Sequence, residues 1–175
     1  GANHRVMTMM KEIMKNVHNW EDETELSKYL EKILRGEAND HSGLIYGMGH
    51  AVYTVSDPRA VILKDTARKM ADEKGMLDVY ELFERIEKLS PQVFSKVKGE
   101  TKVISANVDF YSGLVYKMLG IPSDLYTPLF AISRIAGWCA HRIEEMETCK
   151  RIMRPAYRSL SKSRPYVPIN KREQG

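Results

Sequence analysis

The residues best suited to take part in a reaction lie in the segment GMGHAVYTVSDPR, residues 47–59. In this segment glycines precede a histidine, and an arginine follows. Gly47 and Gly49 let a backbone or a ligand come close to His50. Arg59 falls at a predicted helix N-terminus, a position that favours anions. Together these residues predict a pocket for an anionic molecule whose carbonyl group His50 would polarise. The alternative is that His50 is an ordinary structural histidine.

Two further residues are candidates for the same site, Arg134 and Asp109. Arg134 is the only charged residue of the segment PLFAISRIAGWCA, and an arginine in apolar surroundings requires an anionic partner. That partner is either a protein carboxylate or a ligand anion, which a guanidinium binds with two parallel hydrogen bonds. Asp109, in NVDFYSG, is either a helix N-cap or a general base. Burial would raise the pKa of Asp109, and a nearby arginine would lower it.

Helices must position these residues, because the apolar periodicity of the chain is helical. Apolar residues recur at three- and four-residue steps in HRVMTMMKEIMKNV and in ETELSKYLEKILRG, and the methionines of the first segment are interpreted as core residues. A third helix is predicted to begin with Asp57 as its N-cap and Pro58 at its first position, and to end at Gly75. Two more helices follow, separated at Pro91.

The last third of the sequence predicts two helices. ISANVDFYSGLVYKMLG passes from a polar loop into a helix that ends at Gly120. TPLFAISRIAGWCAHRIEEMET predicts a final helix with Thr127 as its N-cap. Because this helix is apolar on all sides near its start, we expect it to be buried. No convincing strand pair and no repeat of fixed period is present in the sequence, so the predicted fold class is all-α.

The composition excludes several function classes. The 175 residues carry a net charge of +4 and are 43% hydrophobic and 29% charged, which is typical of a globular protein. No apolar run is long enough to span a membrane, and no signal peptide is recognisable at the first residues. Two cysteines, Cys139 and Cys149, form no metal motif and favour a cytoplasmic location. The basic excess lies in the tail, and because the rest of the chain is balanced we expect no nucleic-acid partner.

Four motifs, in this order and spacing, resemble those of the citrate synthase family. GMGHAVYTVSDPRAVIL is similar to the family's Gly-x-Gly-His…Asp-Pro-Arg segment, and NVDFYSG to its Asn-Val-Asp…Ser-Gly segment. PLFAISRIAGWCAH is similar to its C-terminal Ser-Arg helix, and RIMRP to its closing Arg-Pro element. The resemblance spans nearly the whole chain. One departure is GHAVYT, where many bacterial members have Gly-His-Arg-Val-Tyr-Lys, so that Ala51 and Thr54 remove two cations.

The resemblance implies a multi-helical fold with two domains around a cleft. Residues 1–120 would form a small helical domain that binds CoA and closes over the substrates. Residues 121–175 would supply the C-terminal helix and tail of the large domain. The family also works as a homodimer.

The resemblance further implies a Claisen condensation of acetyl-CoA with oxaloacetate. Asp109 would remove a proton from the acetyl methyl group, and His50 would hydrogen-bond the ketone oxygen of oxaloacetate. Arg59 and Arg134 would bind the carboxylates, and Arg154 would do so in the partner subunit's site. Acetyl-CoA would be a co-substrate, with no permanently bound cofactor and no metal. The implied CoA-binding residues are Leu44, Ile45, Tyr46, Gly47, Met48, Lys102 and Asn107.

The first residues, GAN, resemble the end of the family's Pro-Leu-His-Gly-Gly-Ala-Asn motif. We therefore expect the chain to be the C-terminal part of a longer enzyme, without the histidine of that motif and inactive alone. Two alternatives remain open from the residues. One is a 2-methylcitrate synthase that uses propionyl-CoA, because one methylene discriminates by only about 1–3 kcal/mol. The other is an inactive helical domain that binds CoA or a partner.

Overall fold

The computed structural model of the chain describes residues 1–53, 55–99, 104–148 and 167–168. These ranges contain six α-helices and, among β elements, only an isolated antiparallel bridge between Met48 and Ala106. The all-α class predicted from the sequence is confirmed. The helices are α1 (Ala2–Asn16), α2 (Glu23–Leu34), α3 (Pro58–Glu73), α4 (Leu77–Lys98), α5 (Val108–Met118) and α6 (Tyr126–Thr148), with a 3-10 turn at Ser123–Leu125.

The chain divides into two compact units, Gly1–Ser133 and Arg134–Gly175. In the first unit α5 packs against both α1 and α3, and α4 packs against α2 and α3. The expected boundary between residues 120 and 121, which the family resemblance implies, stays a prediction. The first unit contains every candidate site residue before residue 134 that the structure describes.

The core of the first unit is built around an aromatic cluster. Phe83 of α4 meets Phe110 of α5 edge to face with ring centroids 5.4 Å apart, and Tyr111 lies 5.1 Å from Phe110. All three are fully buried, as are Met9 and Met10 of α1, so the methionines are core residues as predicted. Edge-to-face aromatic pairs stabilise a core beyond the area that they bury.

A polar link crosses this core and fixes α5 against α3 and α4. The Tyr111 hydroxyl donates a 2.6 Å hydrogen bond to Oε2 of Glu87, and Lys64 Nζ donates to the same oxygen at 2.8 Å. Burial, reinforced by the Glu87 carboxylate, raises the pKa of Tyr111, so its hydroxyl keeps its proton and remains a donor. The three helices are therefore held by directional contacts as well as by apolar packing.

Capping residues determine where the two helices near the candidate residues begin. Asp57 caps α3 by accepting from the Arg59 backbone N–H at 3.0 Å, and Pro58 occupies the first helical position, as predicted. The N-cap of α5 is Asn107, which accepts from the Asp109 N–H at 3.0 Å. The alternative that Asp109 is itself an N-cap is wrong, because Asp109 lies within the first turn of the helix.

The predicted break at Pro91 is wrong, since α4 runs continuously from Leu77 to Lys98 with the proline inside it. Buried residues on both sides, Leu89 and Val93, anchor the helix in the core, and Lys98 beyond the proline donates to a carbonyl of α2. Tertiary packing on both flanks offsets the missing N–H.

Helix α6 differs from its prediction at its start and in its burial. It begins at Tyr126 directly after the 3-10 turn, so Thr127 is not its N-cap. Of its residues only Tyr126 is buried, whereas Trp138 is 58% and Met146 69% exposed. An apolar pattern indicates that a helix is stable when covered, but it does not say which residues cover it. No helix in the described ranges is long and apolar enough to cross a membrane.

The close contact of α1 with α5 depends on Gly113. A Cβ at this position would lie 2.6 Å from Met7 Cγ and 3.2 Å from the Asn3 carbonyl oxygen. We expect Gly113→Ala to lower the free energy of unfolding by about 1–3 kcal/mol, as overpacking does, measured by urea denaturation. The matched control is Gly137→Ala in α6, where no atom lies within 4 Å and the better helix former gains up to about 1 kcal/mol. Equal effects of the two variants would contradict this packing.

Candidate active site

The loop that carries His50 is hydrogen-bonded to the segment that leads into α5. Gly49 N donates to the Ser105 carbonyl at 2.7 Å, and Asn107 N donates to the Gly47 carbonyl at 2.8 Å. The Asn107 side chain adds a third bond, from Nδ2 to the Gly49 carbonyl at 2.9 Å. These three bonds hold His50 next to the N-terminus of the helix that bears the candidate base.

Gly47 allows this approach because no other residue fits there. Its φ is +82°, and a Cβ would lie 2.9 Å from both the Cα of Phe110 and Cγ2 of Val6. The first of these atoms is backbone and cannot rotate away. The close approach that the glycines predict is therefore made, at this position, to the protein's own helix α5.

The backbone around His50 sets the orientation and tautomer of its ring. Nδ1 accepts hydrogen bonds from the N–H groups of Val52, at 2.9 Å, and Tyr53, at 3.1 Å. A nitrogen that accepts two N–H bonds carries no proton, so in the neutral imidazole the proton resides on Nε2. His50 thus presents an N–H donor, and its side chain is 19% exposed.

Asp57 and Arg59 form a bidentate ion pair beside this histidine. Arg59 Nε donates to Oδ1 of Asp57 at 3.0 Å, and an Arg59 terminal nitrogen donates to Oδ2 at 2.9 Å. The Asp57 side chain is 0% exposed, whereas that of Arg59 is 47% exposed. The hydrogen bonds from Arg59 lower the pKa of Asp57 to about 2 despite its burial, so the carboxylate is ionised near neutral pH.

His50 and Arg59 hold two N–H donor groups close together. Nε2 of His50 lies 3.4 Å from the Arg59 terminal nitrogen. Because Nε2 bears its proton in the neutral ring, neither nitrogen accepts from the other. The Arg59 nitrogen already donates one N–H to Asp57 Oδ2, so its second N–H and the Nε2–H of His50 are the donors available to a further oxygen acceptor. A carbonyl or carboxylate oxygen of a bound molecule would satisfy both, which is the chemistry predicted for GMGHAVYTVSDPR.

Asp109 is half-buried in the first turn of α5 and lines a cavity of about 260 Å³. Burial raises the pKa of Asp109, and Arg59 partly opposes that rise. The sequence left this balance open, and in the structure burial prevails. A carboxylate with a raised pKa beside a cavity is suited to proton abstraction. The other cavity residues are Gly1, Ala2, Asn3, Thr127 and Phe130.

The structure describes the predicted CoA-binding residues except Lys102. Leu44 is exposed and Ile45 is buried. The Tyr46 hydroxyl donates to Asp40 and accepts from Arg5 at 2.6 Å, and Met48 forms the bridge to Ala106. The Asn107 amide is engaged at both ends, with the Gly49 carbonyl and the Asp109 N–H, so its part in binding CoA stays a prediction.

For three predicted residues the position relative to this site stays a prediction. Lys102 and Arg154 lie outside the described residues. Arg134 is the first residue of the second unit, on an exposed stretch of α6. Among the described residues, no group of three or more His, Cys, Asp or Glu side chains is arranged to hold a metal ion.

Asp57 is the site residue that sequence reasoning missed, because it was interpreted only as a helix cap. The signal was present in Asp-Pro-Arg. A guanidinium two residues after an N-cap can fold back onto the capping carboxylate, and here Arg59 does so.

Known proteins share both the sequence and the fold of this chain. The family model "Citrate synthase, C-terminal domain" matches residues 1–156. The Synechocystis citrate synthase is 42% identical over 98% of this chain and 39% of its own length, and that of Haloferax volcanii is 38% identical over 98% of this chain and 40% of its own. The chain thus spans about two-fifths of the length of these relatives.

Solved structures agree. The Thermoplasma acidophilum citrate synthase, in a ternary complex with carboxymethyl coenzyme A and oxaloacetate, superposes with a TM-score of 0.65 and 32% identity, over 98% of this chain and 42% of that one. The Thermotoga maritima citrate synthase gives 0.64 and 29% over 99% and 43%. With a family model that covers most of the chain and relatives matched along its whole length, the chain belongs to the citrate synthase family.

Proposed function

We propose that the whole protein containing this chain condenses acetyl-CoA with oxaloacetate to give citrate and CoA. The observation that carries the proposal is the juxtaposition of two N–H donors, on His50 and Arg59, with the half-buried carboxylate of Asp109. The Thermoplasma relative, whose solved complex holds oxaloacetate and a CoA derivative, supports this choice of substrates.

In this proposal Asp109 removes a proton from the methyl group of acetyl-CoA. Its raised pKa brings the carboxyl group closer to the basicity that the abstraction needs, while Arg59 keeps the ionised form populated. The carbon nucleophile, an enol or enolate of the thioester, then attacks the ketone carbon of oxaloacetate. The new C–C bond forms as the C–O π electrons move to the ketone oxygen, which takes up a proton to become the hydroxyl group of citryl-CoA. Water then hydrolyses the thioester and releases citrate and CoA.

His50 and Arg59 act on oxaloacetate. His50 donates its Nε2–H to the ketone oxygen, where negative charge develops during the attack, and its fixed ring loses no orientational freedom at that moment. Arg59, held by Asp57, binds a substrate carboxylate with its outward N–H groups. Arg134, and Arg154 in a partner subunit's site, are proposed for the remaining carboxylate contacts. A homodimer, implied by the resemblance, and a cytoplasmic location, favoured by the two cysteines, remain predictions.

The segment from Leu44 to Met48, with Lys102 and Asn107, is proposed to bind CoA. The hydrogen bonds between residues 47–49 and 105–107, directly before the start of α5, support this proposal. The acetyl group would then reach Asp109 while its CoA carrier lies along the loop. We also propose that the chain alone does not complete the reaction, since it spans two-fifths of the length of its relatives.

The role of His50 predicts a specific tautomer. In the neutral ring, Nε2 should carry the proton and Nδ1 should not, because Nδ1 accepts from Val52 and Tyr53. Nitrogen-15 NMR distinguishes the two ring nitrogens. His141, whose side chain is 84% exposed, is the internal reference and should show both tautomers. A His50 proton found on Nδ1 would remove the proposed donor.

The role of Asp109 predicts a loss of turnover without loss of oxaloacetate binding. In the whole protein, Asp109→Asn should lower kcat by about 10²–10⁴-fold, the usual contribution of a general base, because the amide cannot accept the methyl proton. Thiol release from acetyl-CoA plus oxaloacetate measures kcat, and calorimetry measures oxaloacetate affinity. The matched control is Asp124→Asn, an exposed aspartate in the 3-10 turn, which should leave both unchanged.

Each outcome of this assay bears on a separate claim. Retained turnover in Asp109→Asn would overturn the assignment of the base. A higher kcat/KM with propionyl-CoA than with acetyl-CoA would replace the proposed reaction by methylcitrate formation. Thiol release by the 175-residue chain alone, at the rate of the whole protein, would contradict the need for further residues.

A further inference from the structure

Asp57 is a fully buried charged side chain that receives four hydrogen bonds from two parts of the fold. Oδ1 accepts from the backbone N–H and the Nε–H of Arg59, both at 3.0 Å. Oδ2 accepts from an Arg59 terminal nitrogen at 2.9 Å and from the backbone N–H of Val108 at 3.2 Å. The N–H of Val108 belongs to the first residue of α5, so one carboxylate joins the starts of α3 and α5.

The groups that Asp57 joins are those of the proposed reaction. Arg59 is the proposed carboxylate-binding residue, Val108 directly precedes the proposed base Asp109, and Nε2 of His50 lies 3.9 Å from Oδ2. We infer that Asp57 is a positioning residue. Its buried carboxylate holds the Arg59 guanidinium and the start of the helix that bears Asp109 in a fixed arrangement beside His50. This inference rests on the proposed function, since it assigns Asp57 to that same site.

The number of donors explains why the residue must be an ionised aspartate. A carboxylate offers about four lone-pair sites, and here four N–H groups fill them. Asparagine would still cap α3, since it caps helices as well as aspartate does. Its amide group would, however, turn an N–H toward two of the donors, which would then lose their acceptor inside the protein. Capping and positioning can therefore be separated by Asp57→Asn.

A purely structural role is the alternative, and Asp22 supplies the control for it. Asp22 caps α2 in the same manner, accepting from the N–H groups of Thr24 at 2.8 Å and Glu25 at 3.2 Å. It is exposed, and neither of its capping partners is a proposed site residue. Asp22→Asn thus makes the same chemical change at a helix cap away from the site.

The kinetic experiment compares Asp57→Asn with Asp22→Asn in the whole protein. We expect Asp57→Asn to lower kcat/KM for oxaloacetate by about 10²-fold, the loss expected when a catalytic group moves by about 1 Å. Both a higher KM for oxaloacetate and a lower kcat should contribute, while the KM for acetyl-CoA should change much less. Asp22→Asn should behave as the unmodified protein. Equal losses in the two variants, or no loss in Asp57→Asn, would overturn the inference.

A double-variant cycle tests whether Asp57 acts through Arg59. If it does, adding Asp57→Asn to Arg59→Gln should cost less than Asp57→Asn costs in the unmodified protein, because the residue through which it acts is already gone. Independent, multiplicative losses would show that Asp57 does not act through Arg59. Should Asp57→Asn fail to fold, Asp57→Ser keeps a capping oxygen but offers Arg59 no bidentate partner, and the same expectations apply.

A second measurement does not depend on activity. In arginine-labelled samples of the whole protein, the Nε–H of Arg59 should exchange slowly with solvent, because it is bonded to a fully buried carboxylate, and Asp57→Asn should make this exchange fast. Unchanged exchange would overturn the positioning role even if the enzyme were active. An unmodified whole protein without condensation activity would instead overturn the proposed function, and the exchange result would still decide whether Asp57 positions Arg59.

Discussion

The arrangement of the site depends on one buried carboxylate with four hydrogen-bond donors. Asp57 accepts from three nitrogens of Arg59 and from the first N–H of α5, so it sets the distance between the two helices that carry proposed reacting groups. A buried, ionised side chain is tolerated only when such bonds replace water. The same hydrogen bonds, chiefly those from Arg59, lower the pKa of Asp57 to about 2, so the buried carboxylate stays ionised near neutral pH.

Two glycines provide the space that this arrangement needs. Gly47 lets the loop before His50 lie directly on the backbone of Phe110, and Gly113 lets α1 lie directly on α5. Helix α5 is therefore packed on one side by the loop and on another by α1, with Asp109 in its first turn. Neither glycine has a reactive side chain, but the packing of the loop that carries His50 against α5 depends on Gly47, and that of α1 against α5 depends on Gly113.

Much of the fold is predictable because helical periodicity and caps are local properties. Asp57, Pro58 and Gly75 delimit α3 as their chemistry predicts. The failures occur where the decisive contacts are distant in sequence. Pro91 does not break α4, because burial on both sides of the proline outweighs the local preference. The apolar surface of α6 is exposed, and the chain spans about two-fifths of the length of its relatives. The sequence pattern of a helix shows that it has an apolar surface, but not which residues pack against that surface.

The residue types of the candidate site could be identified from the sequence, but their geometry could not. The segment GMGHAVYTVSDPR indicated a histidine and an arginine at an anionic pocket, and the two nitrogens lie 3.4 Å apart. The sequence left open whether burial or arginine dominates at Asp109, and the structure shows that burial raises its pKa. The second role of Asp57 was missed, because Asp-Pro-Arg was interpreted only as a helix cap and not also as a carboxylate that the following arginine could bind.

A crystal structure of the whole protein with oxaloacetate bound is the most direct test of the central claim. We predict that the ketone oxygen lies about 2.7–3.2 Å from Nε2 of His50, that a substrate carboxylate lies on Arg59, and that Arg59 remains paired with Asp57. Oxaloacetate bound away from both side chains, or an Arg59 that leaves Asp57 to reach it, would contradict the proposed arrangement.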